Sequence, residues 1–219
     1  IKHMDWSSAN GKILFSSGVL ETINPDGSDF IMIVRKEGGY CLHATWSPDG
    51  KQILYAFLPS SLMDEDIAEM VAKGSKPGLY VTNADGSSDR LLIENGVNGS
   101  WSPDGKQIVY QTITRKTSPE ERKTELYRNI FYTSDIYIIN IDGTGKRLIV
   151  EWGQNPRWSP DGKWIMYHVM GETYLISPDG KEKCQINGYG IWSQDGKSIL
   201  SRTGHISQLS IKKVDGGEK

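Results

Sequence analysis

Residues 157–167 read Arg-Trp-Ser-Pro-Asp-Gly-Lys-Trp-Ile-Met-Tyr, and close copies of this phrase stand at residues 46–55 and 101–110. Looser copies begin at Trp6 and Trp192. Each copy has the composition of a strand that ends in Trp-Ser, a tight turn carried by Pro-Asp-Gly, and a second strand in which apolar residues alternate with other residues. The sequence therefore predicts the same β-hairpin at five places.

A second recurring phrase follows the first four hairpins. It is an apolar segment that ends in Asp-Gly, and it stands at residues 20–27, 79–86, 136–143 and 173–180. A short fourth apolar segment comes next, so one unit is predicted to be a four-stranded antiparallel meander. Such a unit cannot bury both faces of its sheet by itself, and radial stacking of four-stranded units produces a β-propeller.

We therefore expect an all-β protein with one β-propeller domain over residues 1–219. The ring should hold about five four-stranded antiparallel blades, at about residues 2–36, 40–94, 97–151, 154–187 and 188–219. The last blade is incomplete, because the chain reaches Asp215 and Gly216 without sequence for a fourth strand. Two interpretations stay open: a five-bladed ring with a three-stranded last blade, or a part of a larger ring.

Two insertions lengthen the second and third units, at residues 59–78 and 112–134. The first places Met63, Ile67 and Met70 at helical spacing. The second opens on Ser-Pro-Glu-Glu at residues 118–121, a capping box with proline at the first helical position. Its apolar face comprises Leu126, Tyr127, Ile130 and Phe131. Each insertion is therefore predicted to contain one short helix.

The composition limits the function classes. A net charge of -2 and a pI near 6.1 provide no general attraction for nucleic acid or anionic lipid. No apolar run approaches the length of a membrane span, so we expect a soluble protein. The two cysteines, Cys41 and Cys184, fall in different units, and both are predicted to be small core residues.

With these motifs in view, the chain resembles the propeller repeats of the TolB family, which carry a Trp-Ser-Pro-Asp-Gly-Lys hairpin, a Tyr-containing strand and an Asp-Gly turn. The resemblance covers residues 6–216. Propellers of this type are similar to parts of three different proteins: the periplasmic adaptor TolB, the gating domain of prolyl-oligopeptidase-like enzymes, and oligogalacturonate lyases. These 219 residues include neither the amino-terminal α/β domain of the first nor the hydrolase domain of the second. The resemblance implies a location in the periplasm or cell envelope.

One sequence position stays polar in every unit, three residues before the Trp, where the chain has His3, His43, Asn98, Asn155 and Tyr189. The first strand of each blade is innermost if the family resemblance holds, and the last four of these residues then lie near the mouth of the central channel. They would bind a ligand there or order water, and the second interpretation is favoured. The next position is mostly small, with Met4, Ala44, Gly99, Pro156 and Gly190.

The sequence indicates neither a metal site nor a catalytic site. Only two histidines share the polar position and no carboxylate accompanies them, so we expect no metal and no other cofactor. The Asp-Gly turns lack the spaced series of acids that a calcium loop needs, and we interpret their Asp side chains as acceptors for nearby backbone N–H groups. The chain has no Gly-x-Ser-x-Gly elbow and no recognisable pair of catalytic carboxylates, so it is predicted not to be an enzyme.

We predict a non-catalytic, monomeric scaffold that binds a protein or peptide, without a nucleic-acid partner and without membrane insertion. Both insertions connect the second and third strands of their units, which places them on one face of the ring, opposite the short turns. Aromatic, Met and Arg side chains are favoured in interface cores, and the predicted contact residues on this face are Met63, Met70, Tyr127, Arg128 and Phe131.

Two alternatives to this function stay open. The apolar faces of the insertions would merely cover the rim of the propeller in the first. In the second, the chain is a carbohydrate- or metal-binding enzyme fragment that resembles oligogalacturonate lyase, or the gating domain of a prolyl-oligopeptidase-like peptidase.

Overall fold

The computed structural model describes residues 3–59, 76–112, 114–115, 132–186, 188–203 and 208–213. All regular secondary structure in these ranges is β-strand, as predicted. The strands form five antiparallel sheets and one two-stranded ribbon. Within the same ranges, no helix is long and apolar enough to cross a membrane.

The five sheets, called blades 1 to 5, each keep their strands in chain order. Blade 1 contains β1 (His3–Trp6), β2 (Ile13–Ser16), β3 (Leu20–Ile23) and β4 (Ile31–Val34). Blade 2 contains β5 (Gly39–Trp46), β6 (Gln52–Pro59), β7 (Gly78–Asn83) and β8 (Arg90–Glu94). Blade 3 contains β9 (Gly96–Trp101), β10 (Gln107–Thr112) and, after a ribbon of β11 (Thr114–Arg115) and β12 (Tyr132–Thr133), β13 (Ile136–Asn140) and β14 (Arg147–Val150). Blade 4 contains β15 (Gln154–Trp158), β16 (Ile165–Val169), β17 (Glu172–Ile176) and β18 (Lys183–Ile186). Blade 5 contains β19 (Tyr189–Trp192), β20 (Ser198–Thr203) and β21 (Gln208–Lys213).

The first strands of the blades lie around a central axis. Strand β1 contacts β5, β5 contacts β9, and β9 contacts β15. Strands β4, β8, β14 and β18 lie at the opposite edges of their sheets. The first strand is therefore the innermost one in blades 1 to 4, which is the arrangement of a β-propeller.

The repeat tryptophans of blades 2 to 4 pack against the preceding blade. Trp46 shares a core cluster with Leu14 of blade 1, Trp101 with Leu54 of blade 2, and Trp158 with Val109 of blade 3. These three indoles are only 6%, 8% and 9% exposed, whereas Trp6 is 61% exposed. The tryptophan is thus a core residue in blades 2 to 4, whereas Trp192 of blade 5 is half-buried.

Hydrogen bonds within the hairpin turn explain why the phrase Ser-Pro-Asp-Gly-Lys recurs. In blade 4, Ser159 Oγ donates to Asp161 Oδ1 at 2.7 Å, and the same Oδ1 accepts from Lys163 N at 3.1 Å. Gly162 takes a φ of 74°, which glycine adopts at little cost. The first turns of blades 2, 3 and 5 repeat these bonds. The interpretation of the turn Asp as a backbone acceptor is therefore confirmed.

The edges of the two insertions differ from the prediction. Gly78 belongs to β7, where it pairs with both Phe57 and Glu94, so the strand begins inside the predicted first insertion. The second insertion opens with the ribbon, in which Thr114–Arg115 pairs with Tyr132–Thr133. Backbone pairing continues past the apolar pattern because each extra rung satisfies otherwise unpaired N–H and C=O groups. The predicted helical segments lie outside the described residues.

One of the two cysteines is not a core residue. Cys41 is fully buried, as predicted, but Cys184 is exposed. Cys184 lies in β18, the outer strand of blade 4, where Ile186 is the buried residue among the four. The outer strand of a blade has few residues of the next blade to pack against, so an apolar residue in this strand can remain exposed.

Candidate functional site

Three of the predicted channel residues occupy β-bulges. His43, Asn98 and Asn155 have φ values of 53°, 52° and 51°. Each of them, together with the residue after it, opposes a single tyrosine on the next strand; the tyrosines are Tyr55, Tyr110 and Tyr167. A non-glycine residue at positive φ stores roughly 1–3 kcal/mol of strain, and such residues and bulges concentrate at functional sites.

The structure brings four polar side chains together across blade junctions. Asn98 Nδ2 donates to Asn155 Oδ1 at 2.9 Å, which joins blades 3 and 4. Tyr189 of blade 5 stacks on His168 of blade 4, with ring centroids 4.1 Å apart. Asn155, His168 and Tyr189 line one cavity of about 430 Å³. His168 was not among the predicted site residues, because it lies on β16 and not at the recurring polar position.

The five polar positions are not equivalent, although the sequence suggests that they are. His3 pairs with Ser16, and Tyr189 pairs with Arg202, in regular ladders without a bulge. His3 nevertheless lies near His43, with ring centroids 6.0 Å apart. The predicted residues therefore form separate contacts between neighbouring blades. In the described part of the chain, no three His, Cys, Asp or Glu side chains converge closely enough to hold a metal ion.

Arg157 is a central residue that the sequence prediction missed. Its Nη1 donates to the carbonyl oxygens of Asn98, at 3.3 Å, and of Pro156, at 2.9 Å. It lines the cavity of about 430 Å³ and also a second cavity of about 290 Å³ beside the hairpin turns. A signal was present, because Arg157 is the one basic residue directly before a repeat Trp; the other units have Asp5, Thr45, Ser100 and Ile191 there.

The positive charge of Arg157 acts on histidines of three blades. Burial, and then Arg157, lower the pKa of His168 and of His3. Partial desolvation of the ring lowers the pKa of His43, although part of this side chain is exposed, and His3 and Arg157 have smaller effects in the same direction. Burial also lowers the pKa of Arg157 itself, whereas Tyr189 and Asp5 raise it. A guanidinium stays protonated in proteins, so the channel holds a permanent positive charge.

Acidification should destabilise the fold through His168. This side chain is 7% exposed, and its Nδ1 lies 3.1 Å from Thr173 Oγ1. Its pKa is below the ordinary 6.5 in the folded protein, so the unfolded chain takes up the proton more readily as the pH falls through that value. The free energy of unfolding should therefore decrease from about pH 7.5 to about pH 5, by no more than about 1.4 kcal/mol per pH unit from this group.

Urea denaturation of the wild-type protein and of His168→Gln at the two pH values measures this effect. The variant should lose less stability on acidification, since glutamine does not titrate. An equal loss in both proteins would show that His168 is not responsible.

The face that carries the insertions also exposes large apolar side chains. Tyr40 is the second residue of β5, Trp152 precedes β15, Met170 lies in the turn between β16 and β17, and Tyr189 begins β19. They are 44%, 56%, 100% and 53% exposed. All four lie at the strand ends from which the insertions leave, opposite the hairpin turns. The predicted contact residues Met63, Met70, Tyr127, Arg128 and Phe131 lie outside the described residues.

Comparison with known proteins relates parts of the chain to two curated proteins. No protein-family model matches it. Over 127 residues, or 51% of the chain, it is 34% identical to dipeptidyl-peptidase 5 of Porphyromonas endodontalis, and the match covers 17% of that protein. Over 157 residues, or 67% of the chain, it is 31% identical to an uncharacterised protein of Agrobacterium fabrum, and the match covers 44% of that protein. The chain thus spans less than half the length of these curated relatives.

Solved structures share the fold over nearly the whole chain. A putative TolB from Agrobacterium tumefaciens has a TM-score of 0.68 and 20% identity, covering 99% of this chain and 78% of its own. An oligogalacturonate lyase in complex with manganese has a TM-score of 0.68 and 11% identity, covering 96% and 64%. TolB from Acinetobacter baumannii has a TM-score of 0.64 and 17% identity, covering 97% and 52%. The recurring hairpin, the five stacked sheets and these superpositions show that the chain has the fold of a TolB-like β-propeller.

Proposed function

We propose that this propeller is a non-catalytic scaffold that binds a protein or peptide through the face carrying the two insertions. The observation that carries the proposal is the group of exposed apolar side chains on that face: Tyr40, Trp152, Met170 and Tyr189. Contiguous exposed apolar patches are typical of protein interaction sites, and in this proposal the four side chains form one together with the insertions. The superposed TolB structures share the fold, and the resemblance to the TolB family implies a binding role.

Backbone strain at two of these residues strengthens the argument. Trp152 and Met170 have φ values of 64° and 50°, where Asn or Gly would be less strained. Met170 and Gly171 form a two-residue turn, since Val169 pairs with Glu172, and such turns favour Asn-Gly. A fully exposed Met contributes little to the core from this position. Its strain is better explained by a partner than by folding.

The insertions extend the proposed surface. Residues 62–73 carry four acids and one base, whereas residues 115–128 carry five bases and three acids. The proposed contacts include Met63, Met70, Tyr127, Arg128 and Phe131, which would present both charge signs to a partner together with aromatic and Met side chains. The remaining parts of the proposal are a single domain over residues 1–219, a monomer, and a location in the periplasm or cell envelope.

Replacing Trp152 and Met170 by Asn should weaken partner binding while leaving the fold at least as stable. The relief of strain in the Met170 turn should raise the free energy of unfolding by roughly 0.5–1 kcal/mol. Retention of a partner from a lysate of the source organism on the immobilised protein measures binding, and urea denaturation measures stability. The matched control is Phe30→Asn, which removes a side chain that is 60% exposed on the opposite face.

A trimmed protein separates the insertions from the described face. Residues 61–75 and 116–131 are replaced by short turns, so that β6, β7, β11 and β12 remain whole. We expect this protein to fold and to lose the partner. Undiminished retention of the same partner by both the trimmed protein and the Asn variant would place the binding site elsewhere.

A second function is favoured by one observation. The match to dipeptidyl-peptidase 5 exceeds 30% identity over half of the chain. The alternative proposal is a propeller that belongs to an enzyme, as the gating domain of a peptidase or as a carbohydrate- or metal-binding fragment resembling oligogalacturonate lyase. Elemental analysis of the purified protein for manganese and an assay with the parent protein would distinguish this alternative from the scaffold.

A further inference from the structure

Arg157 forms no ion pair with a carboxylate among the described residues. Both of its hydrogen bonds come from Nη1 and end on the neutral carbonyl oxygens of Asn98 and Pro156. Asp5, the acid whose charge acts on it, accepts the backbone N–H groups of Trp46, at 2.7 Å, and of Trp6, at 3.0 Å. In the described part of the chain, Nε and Nη2 of Arg157 have no acceptor. A partly buried guanidinium is costly unless an anion or full hydrogen bonding compensates it.

The cavity beside Arg157 offers further polar groups. Its volume is about 430 Å³, within the range of small-ligand pockets, and it lies between blades 4 and 5. Asn155 Oδ1 accepts from Asn98, which turns the amide so that Nδ2 remains as a donor. The His168 ring contacts Thr173 through Nδ1, which leaves Nε2 on the other side of the ring. Tyr189 brings its hydroxyl from the next blade.

The bulges hold this arrangement in place. The carbonyl group that accepts from Arg157 belongs to Asn98, the bulged residue of blade 3, and the guanidinium belongs to the strand with the bulged Asn155. Gln111 Oε1 accepts from the backbone N–H of Asn155 at 2.6 Å, which supports the bulge from the neighbouring blade. Strained residues that are supported in this way are typical of pre-organised binding sites.

We propose that the cavity beside Arg157 binds a carboxylate, supplied by a small organic acid or by a peptide. The N–H groups at Nε and Nη2 of the guanidinium match the two oxygens of a carboxylate in a bidentate pair. The lining residues include one cation, and a single cation balances a monovalent carboxylate, whereas a phosphate dianion would call for more positive charge. This site is inferred from the geometry of the cavity and does not depend on a partner at the insertion face.

Binding of simple probes to the isotope-labelled protein tests the proposal. The probes are acetate, N-acetylated Ala-Ala-Ala with a free carboxylate, and the same peptide as its C-terminal amide. Nuclear magnetic resonance follows the ring signals of His168 and Tyr189. We expect saturable shifts with acetate and with the free acid, and none with the amide. Binding of the peptide at least about tenfold tighter than acetate would assign the carboxylate to a peptide terminus, and equal affinity would assign it to small acids.

Variants connect the binding to Arg157. Arg157→Gln should weaken binding of the free-acid peptide at least about tenfold. Arg157→Lys keeps the charge but lacks the forked guanidinium, so its affinity should lie between those of the wild type and the Gln variant. The matched control is Arg90→Gln, because exposed Arg90 also donates to a carbonyl oxygen of the next blade, that of Ile141 at 2.7 Å. Arg90→Gln should bind the free-acid peptide with the affinity of the wild type.

Three results would overturn the proposal: no saturable shift with either acid, equal binding of the amide, or wild-type affinity in Arg157→Gln. If the Gln variant does not fold, the affinity of Arg157→Lys is compared with that of the wild type instead. Wild-type affinity in the Lys variant would then refute the bidentate site.

Discussion

Replacing Trp46, Trp101 or Trp158 by alanine should lower the free energy of unfolding by roughly 3–5 kcal/mol. Each indole is more than nine-tenths buried and packs on the preceding blade. Its removal exposes apolar surface of two sheets and leaves a cavity, because the backbone of a ladder cannot collapse to fill it. Urea denaturation followed by far-ultraviolet circular dichroism measures the loss.

Trp6 provides an internal control for this prediction. It occupies the same position in the repeat, but it is 61% exposed. Trp6→Ala should therefore cost less than about 1 kcal/mol. Similar losses for Trp6 and for the three buried residues would show that the effect comes from the hairpin itself and not from packing between blades.

Gly99→Val should destabilise the protein by roughly 2–3 kcal/mol, for steric reasons. A Cβ at Gly99 would lie 2.6 Å from Leu54 Cδ2 and 3.2 Å from Leu79 Cδ1, both in blade 2. These leucines are 0% and 1% exposed, so they have no free space to move into. The innermost strand of blade 3 therefore packs so closely against blade 2 that position 99 has room for a hydrogen atom but not for a side chain.

The matched control is Met4→Val, at the equivalent position of blade 1. Met4 is 59% exposed, so this exchange should change the free energy of unfolding by less than about 1 kcal/mol. Thermal or urea denaturation of the two variants measures the difference. A Gly99→Val protein as stable as the wild type would mean that the blades can separate at this junction at little cost.

Much of the fold could be predicted from the sequence because its signals are local. The bonds among Ser159, Asp161 and Lys163 connect residues that are at most four apart, so the same phrase produces the same turn wherever it occurs. The alternation of apolar residues in the second and third strands likewise marks their pairing, as the aligned Tyr167 and Tyr174 show. Repetition of one unit then indicates stacking, since a single meander leaves a face uncovered.

The candidate site was less predictable, because its members meet only across blades. The recurring polar position identified His43, Asn98, Asn155 and Tyr189, but it did not indicate that three of them would be bulged and one would not. A bulge depends on the residue opposite it in the ladder, and this pairing cannot be predicted from the sequence of the first strand alone.

The sequence by itself determined the hairpins, their turns, the all-β class and the stacking of like units, because each of these follows from contacts within one unit. The tertiary structure alone decided that Arg157 stands beside His168 and Tyr189, that Trp6 is exposed where Trp46 is buried, and that Cys184 lies at an open edge. The physical reason is the same in all three cases. Burial and charge at these residues are set by the neighbouring blade, and identical positions in a repeat have different neighbours around the ring.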